Sequence, residues 1–404
     1  MDKVQEKPLP NGWRRVKLGE VCSLVGDTIN PQAQPQKTFA HFSIPAYDDG
    51  RKPTIEQGGS ILSNKVAFPK GAVLFSKLNP RISRVWHVDF AEDYPMICST
   101  EFLPLLPSAD LLASEYLEKV LQEPSLIWKL RAQVAAATKS RERLSPELVL
   151  NCFIPLPPLP EQRRIAGILK EQMAAVEKAR AAAEAQLQAA QALPVAYLRE
   201  VFPTPDAPLP KGWRWVKLGE VCETGSGGTP SRGTSSFYGG SIPWVKSGEL
   251  NDGVVCGTEE SITELGLSNS SAKLVPKGTL LIAMYGATVG KLGILGIDAA
   301  TNQAVCAIFP QDSVCRDYLF HFLFQQRKTL VERSFGGAQP NISQEVIRAV
   351  TVPLPSLDIQ HLIATDLNAK STKVEKLKAA LSNSLNEINA LPSALLRQAF
   401  SGEL

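Results

Sequence analysis

The residues with catalytic potential are few and poorly spaced for catalysis. His41, His87, His321 and His361 are the only histidines. His361 falls in a stretch with helical periodicity, so a hydrolase that needs His beside Ser or Cys has little to draw on. A lone His in a strand is more often structural. Gly286-Ala287-Thr288-Val289-Gly290-Lys291 has the look of a phosphate loop, but it places three residues between its glycines where that motif needs four. Leu292 also stands where Ser or Thr would hold Mg²⁺. Gly225-Ser226-Gly227-Gly228-Thr229-Pro230 is Gly-rich too, yet its proline comes where a dinucleotide-binding helix would begin, so it reads as a loop. No carboxylates cluster at metal spacing. The seven cysteines (Cys22, Cys98, Cys152, Cys222, Cys256, Cys306, Cys315) contain no C-x-x-C pair, which argues against zinc and against a disulfide framework. The expected catalytic and metal sites are therefore none.

What the chain does carry is loops rich in Arg, Lys, Asn, Gln, Ser and Thr, the side chains that meet phosphates and base edges. In the first half, Lys77, Asn79, Arg81 and Arg84 gather between two candidate strands, and Lys139, Ser140, Arg141 and Arg143 form a second cluster. In the second half the corresponding loops are polar but less charged: Thr229, Ser231 and Arg232; Lys246 and Ser247; Tyr285, Thr288 and Lys291; Asn302 and Gln303; Gln339 and Asn341. A surface charge cluster is usually a solvated face, so the case for nucleic acid rests on several such loops recurring at equivalent places. Segment 1–153 has 19 basic and 17 acidic residues and segment 206–351 has 13 of each, which predicts that phosphate attraction falls more on the first.

These loops must be positioned by something large. The 404 residues, 44% hydrophobic and 21% charged, suffice for two or three domains with real cores, and the formal charge of +3 is too mild to mark a nucleic-acid binder by bulk charge. The polar start Met1-Asp2-Lys3-Val4-Gln5-Glu6-Lys7-Pro8 and the lack of any apolar run of about 18 residues predict a cytoplasmic protein with no membrane contact.

The chain is written twice. Leu9 to Cys22 returns as Leu209 to Cys222 with 12 of 14 residues identical. Ile154-Pro155-Leu156-Pro157-Pro158-Leu159 returns as Val352-Pro353-Leu354-Pro355-Ser356-Leu357, followed in step by Gln162/Gln360, Ile165/Ile363 and Ala166/Ala364. Leu193-Pro194 and Leu391-Pro392 then lead to Phe202 and Phe400. A period of about 200 residues is too long for a solenoid, so each copy should be a domain plus a helix.

In the first helical stretch Leu169, Met173, Val176, Ala183, Leu187 and Ala190 fall on 4,3 spacing, interrupted by Arg180. In the second the matching positions are Leu367, Ser371, Val374, Lys378, Leu381, Leu385 and Ile388. This is a coiled-coil seam, and each stretch of about 40 residues would span roughly 60 Å as continuous helix. The natural partner of each helix is the other; the alternative is two ordinary helices in separate cores. Pro194 and Pro392 are expected to end or kink the helices. Segments 10–153 and 209–351 carry short β-rich runs (72–75, 85–88, 279–283, 304–309) with helices near 113–122 and 315–325, hence mixed α and β.

In these features the sequence resembles the specificity (S) subunits of Type I restriction-modification enzymes. The resemblance runs over nearly the whole chain. Its carriers are the duplicated openings, Pro155 to Ile165, Gly228-Thr229-Pro230-Ser231-Arg232, and Pro276 to Lys291. Asp358-Ile359-Gln360-His361-Leu362 departs from the Pro-Glu-Gln-Arg-Arg pattern of the first copy. The resemblance implies an α+β architecture with an internal pseudo-twofold repeat. Its parts would be target-recognition domains at 1–153 and 206–351 and helical spacers at 154–205 and 352–404, the spacers forming an antiparallel coiled coil. It implies double-stranded DNA with a bipartite site as ligand. Two methyltransferase subunits, and restriction and translocation subunits in a full enzyme, would be partners. S-adenosylmethionine, ATP and Mg²⁺ would belong to those partners and no cofactor to this chain. A duplicated protein adaptor and a self-sufficient methyltransferase or nuclease are the rival readings, the latter lacking an Asn/Asp-Pro-Pro-Tyr motif.

Overall fold

The computed structural model describes residues 9–90, 92–133, 142–204, 207–332 and 341–404. Four helices organise it: α1 (Ser114–Gln122), α2 (Leu159–Val201), α3 (Arg316–Glu332) and α4 (Leu357–Ser401). The fold divides into two compact units, one comprising the chain to Glu184 together with Asn383–Leu404, the other Ala185–Ser382. Both long helices contribute to both units.

In unit 1 the repeated opening forms a strand, Arg14–Lys17, antiparallel to Phe153–Leu156. A four-stranded sheet follows in the order Cys22–Leu24, Phe102–Pro107, Val73–Ser76, Val85–His87. A five-stranded sheet (Thr28–Ile29, Lys65–Ala67, Met96–Ser99, Thr38–Phe42, Thr54–Gln57) shares a smaller core with the four-stranded one, Phe42 packing with Trp86 and Phe102. Unit 2 repeats the plan. Arg214–Lys217 pairs with Thr351–Leu354, and a sheet runs Cys222–Ser226, Val305–Pro310, Leu280–Ala283, Leu292–Leu295, with Gly253–Val255 added in parallel at its edge. A second, four-stranded sheet is built on Tyr238–Val245. Gly225 and Ser226, read as loop from the sequence, end a strand instead, because they register with Ala307 and Cys306. The loop begins at Gly227.

The shared sequence is explained by shared contacts. Leu18 and Leu218 are wholly buried, and their amides donate to the carbonyls of Cys152 and Val350. A side chain on Gly19 would press within 3.2 Å of the Leu150 carbonyl, and one on Gly219 within 3.0 Å of Arg348 Cβ. Gln162 and Gln360, both fully buried, clasp each helix start to its domain. Gln162 accepts from the Ala113 amide and donates to the Leu111 and Pro157 carbonyls. Gln360 accepts from Cys315 and donates to Ser313 and Pro355. Each buried amide side chain is thereby satisfied, which offsets the free-energy cost of its burial.

The helix ends are exchanged. In unit 1 Leu396 and Ala399 of α4 lie in one core with Ile165, Ala166 and Leu169 of α2, and Phe400 meets Tyr116 edge-on at 5.6 Å. In unit 2 Leu198 of α2 and the following Phe202 share a core with Ala364 and Leu367 of α4, and Phe202 meets Tyr318 edge-on at 5.2 Å. The Tyr116 hydroxyl donates to the Pro155 carbonyl and that of Tyr318 to Pro353. In each unit the start of one long helix therefore lies beside the end of the other, an antiparallel pairing. The seam positions Leu169, Val176, Ala183, Leu367 and Val374 are buried, and Met173, Leu187, Leu381, Leu385 and Ile388 half-buried, as a one-sided apolar stripe requires.

Of the two outcomes expected of them, Pro194 and Pro392 do not end the helices; both lie inside them. Each proline forfeits one rung, but the turns beyond it are anchored by buried residues, Leu198 with Phe202 and Leu396 with Ala399. Tertiary packing thus holds what local propensity would break.

Candidate nucleic-acid interface

Unit 1 presents the loop 77–84 between Val73–Ser76 and Val85–His87. Its base is pinned on both sides. The Lys77 amide donates to the Glu101 carbonyl, the Leu144 amide to the Lys77 carbonyl, and the Asn79 amide to the Glu142 carbonyl. A single antiparallel backbone pairing joins Leu78 to Arg143. Asn79 takes the left-handed conformation (φ 48°), in which Asn is better tolerated than most residues. Among the described residues its Oδ1 is buried without a hydrogen-bond partner.

The cations of this loop differ in what holds them. Arg84 is locked to Asp48 by two hydrogen bonds of 2.7 and 2.8 Å, and the Asp48 carboxyl is held below its usual range by that guanidinium. Arg143 meets Glu101 at 2.7 Å while remaining 60% exposed. Arg131 clamps Glu142, whose carboxyl is lowered first by Arg131 and then by nearby Arg81. Lys77 and Arg81 make no ion pair among the described residues, and Arg81 is exposed. Lys139, Ser140 and Arg141 lie outside the described residues.

Unit 2 builds the same frame with other side chains. The Met284 amide donates to the Ala304 carbonyl, the Ile342 amide to the Met284 carbonyl, and Tyr285 pairs with Asn341 as Leu78 does with Arg143. The loop 286–291 closes through Gly286 and Gly290, both at positive φ (88° and 77°). It leads into the strand Leu292–Leu295, where a phosphate loop would lead into a helix. Thr288 donates to the Ser247 carbonyl. Lys291 pairs with Asp252 at 3.1 Å, and Arg327 donates to the same carboxylate. Asp252 also takes the Leu292 amide. Gln339 lies outside the described residues; Asn341 is exposed.

A second group in unit 2 surrounds Trp244. A side chain on Gly227 would fall within 1.8 Å of the Thr301 carbonyl, and one on Gly228 within 2.2 Å of Ser271 Oγ, so only glycine lets this loop seat there. Trp244 Nε1 donates to the Gly228 carbonyl at 3.0 Å. The Thr229 hydroxyl donates to the side-chain oxygen of Gln303. Arg232 binds Glu260 and lies over the rings of Tyr238 and Trp244. Lys246 reaches Glu259 and Glu260, each at 3.0 Å. The Glu260 carboxyl is lowered to about 2, first by Arg232 and then by Lys246. Ser231 is exposed, and half-buried Asn302 accepts the Ala304 amide.

The predicted residues thus fall into three sets: loop 77–84 with Arg143, loop 284–291 with Asn341 and Ser247, and the Trp244 group with Thr229, Arg232, Lys246 and Gln303. Sequence reasoning missed the acids that hold the cations, namely Asp48, Glu101, Asp252 and Glu260, because they lie 36, 42, 39 and 28 residues from their partners. Among the described residues, no group of three or more His, Cys, Asp or Glu could hold a metal, and no helix is long and apolar enough to cross a membrane. Burial pushes the Cys22, Cys152, Cys222 and Cys306 thiols up to about 12, far from nucleophilic use.

A duplicated frame bearing unlike polar loops defines a class of two-module recognition proteins. The family model for the Type I restriction modification DNA specificity domain matches residues 10–185 and again 210–387; the chain belongs to that family and carries its domain twice. It is 31% identical over 176 residues to the Type I restriction enzyme MjaIX specificity subunit of Methanocaldococcus jannaschii, an alignment spanning 42% of this chain and 40% of that relative. It is 26% identical to the EcoR124I/EcoR124II specificity subunit of Escherichia coli over 41% of this chain and 43% of the relative. These alignments span about two fifths of each relative's length. The HindI specificity subunit of Haemophilus influenzae aligns over 97% of this chain and 99% of its own at 21% identity. Among solved structures, one described under the structural basis of complex assembly and conformational transition of the type I R-M system superposes with a TM-score of 0.84. It is 29% identical and covers 98% of this chain and 100% of its own. The HsdS subunit from Thermoanaerobacter tengcongensis gives 0.71 at 28% identity, covering 99% of both chains.

Proposed function

We propose that this chain is the DNA-specificity subunit of a Type I restriction-modification enzyme, each unit reading one half of a bipartite site in double-stranded DNA. The observation that carries this reading is the pair of matched loops, 77–84 and 284–291, pinned by equivalent backbone bonds yet bearing different side chains. A fixed frame with exchanged contents is what two readers of different sequences require. Each good bidentate base contact supplies about 1–3 kcal/mol of discrimination, so a module reading three or four pairs alone would select poorly in a genome. Two modules on a stiff spacer multiply their selectivities, whereas a flexible linker would accept many separations.

In this reading the pairing of α2 with α4 sets the half-site separation, and the repeated outer surfaces dock two identical methyltransferase subunits. Those partners bring S-adenosylmethionine and flip the target base; ATP and Mg²⁺ belong to restriction and translocation subunits where these join. The chain itself acts by geometry, in the cytoplasm where genomic DNA lies. The supporting experiment inserts one heptad into both α2 and α4, which lengthens each rod by about 10 Å. Mapping methylated adenines should then show unchanged half-site sequences at a larger separation. Unchanged separation would refute the ruler.

A further inference from the structure

We propose that Arg232 reads a guanine in the half-site served by unit 2, with Glu260, Tyr238 and Trp244 as the mould that fixes its guanidinium. The inference rests on the proposed function and assigns the base class to one side chain.

Arg232 donates from Nη1 to Glu260 Oε2 at 2.6 Å and from Nη2 to Oε1 at 3.3 Å. Its guanidinium lies 4.6 Å from the Tyr238 ring centroid and 5.2 Å from that of Trp244. The carboxylate fixes one edge of the fork and the rings fix its plane. Both rings are themselves tied to the loop that carries Arg232: Trp244 Nε1 donates to the Gly228 carbonyl, and the Tyr238 hydroxyl donates to the Pro230 carbonyl at 2.5 Å. Trp244 is 1% exposed. Arg232, by contrast, keeps 56% of its side chain in solvent.

A guanidinium has five N–H donors. Glu260 takes two, leaving others turned away from the carboxylate. Guanine is the base whose major-groove edge offers two adjacent acceptors, O6 and N7, with no donor between them, and an arginine fork is its matching partner. Phosphate can also accept an arginine fork but does not require one, because a lysine point charge serves it from any angle. Lys77 and Arg81 of unit 1 are of that less constrained kind. Holding the Arg232 fork before DNA arrives lowers the ordering cost of binding, and it penalises every base that presents a donor at that edge.

The test uses the full chain assembled with its methyltransferase subunits and maps methylated adenines for the wild type, Arg232→Lys, Arg232→Ala and Glu260→Gln. Arg232→Lys keeps the charge and removes the fork. It should make one G·C position of one half-site degenerate, with discrimination there falling about 5- to 150-fold, while the other half-site and the separation stay fixed. Arg232→Ala should degrade the same position and lower total methylation. Glu260→Gln, with its weaker hold on the fork, should give a smaller loss at that position alone. An unaltered motif in Arg232→Lys, or a loss spread evenly over all positions, would overturn the assignment. If the wild type itself produces no two-part motif, the proposed function falls and this inference with it. A two-part wild-type motif left intact by Arg232→Lys overturns this inference alone.

Discussion

Unit 1 and unit 2 share a frame and differ in how they hold their cations. In both, a buried glutamine clasps the helix start, a tyrosine hydroxyl bonds the Pro carbonyl before it, and a phenylalanine at the end of the other long helix closes the core. In unit 1 Lys77 and Arg81 make no ion pair among the described residues while Arg84 and Arg143 are tied to Asp48 and Glu101, whereas Arg232, Lys246 and Lys291 of unit 2 are all tied to carboxylates. The contrast separates two tasks that a DNA reader must perform. Loosely held cations supply non-specific attraction that salt screens, and cations fixed by carboxylates supply oriented donors. On the proposed function, the first task would fall to Lys77 and Arg81 of unit 1 and the second to the carboxylate-held cations, which are the majority in unit 2.

The frame is the easier half of this comparison to break. Phe202→Ala should cost about 3–5 kcal/mol, because the ring is 1% exposed and meets both Tyr318 and Phe322. Phe400→Ala should cost less, since Phe400 is only half-buried; denaturant unfolding of the full chain ranks the two. Gln162→Ala and Gln360→Ala should each cost about 1–3 kcal/mol by leaving a buried amide and two carbonyls unpaired. Similar losses in the same unfolding experiment are expected, and a large inequality would mean that the two clasps are not equivalent.

The loops sharpen it. Lys77→Ala with Arg81→Ala should reduce the slope of log affinity against log salt by about 2, roughly 0.9 for each phosphate that is no longer neutralised. Lys291→Ala should change it less, because Asp252 already neutralises that cation. Titrating the assembled complex onto its site at several salt concentrations compares them, and equal slopes for all variants would contradict the division of tasks.

The smallest effect is on pH dependence. His321 is 6% exposed and bonds Asn368 at 2.8 Å, joining α3 to α4. Burial holds its pKa below the ordinary value, only partly opposed by Asn368 and Asp317. The unfolded chain therefore takes the proton first, so stability is full above the ordinary pKa of about 6.5 and declines as pH falls through it toward the lower folded value. His321→Gln should flatten part of that decline, read from hydrogen exchange in α3. His41 in unit 1, also lowered chiefly by burial, should leave its own contribution in place.

Much of the frame was legible because it is built from local, repeated signals. The seam follows from apolar spacing, and Gln162 and Gln360 stood out by keeping step across the repeat. The exchange of Phe202 and Phe400 between repeats was not legible, since nothing in a helix's own residues states which core its end will enter. The prolines misled as helix terminators for a related reason: Pro194 and Pro392 act locally, and the buried turns beyond them act through contacts far away in sequence. Polar composition marked the loops but not the acids that hold them. Arg232 and Glu260 are 28 residues apart, and Arg327 and Asp252 are 75 apart; no spacing rule joins such pairs before the sheets bring them together.

The central claim is that two unlike readers sit on one repeated frame and act on separate halves of a DNA site. Mapping methylated adenines with the Arg81→Ala chain in the assembled methyltransferase tests it most directly. The account predicts a two-part motif in which one half-site weakens or relaxes while the other half-site and their separation match the wild type. Equal change in both halves, or a single continuous motif, would contradict it.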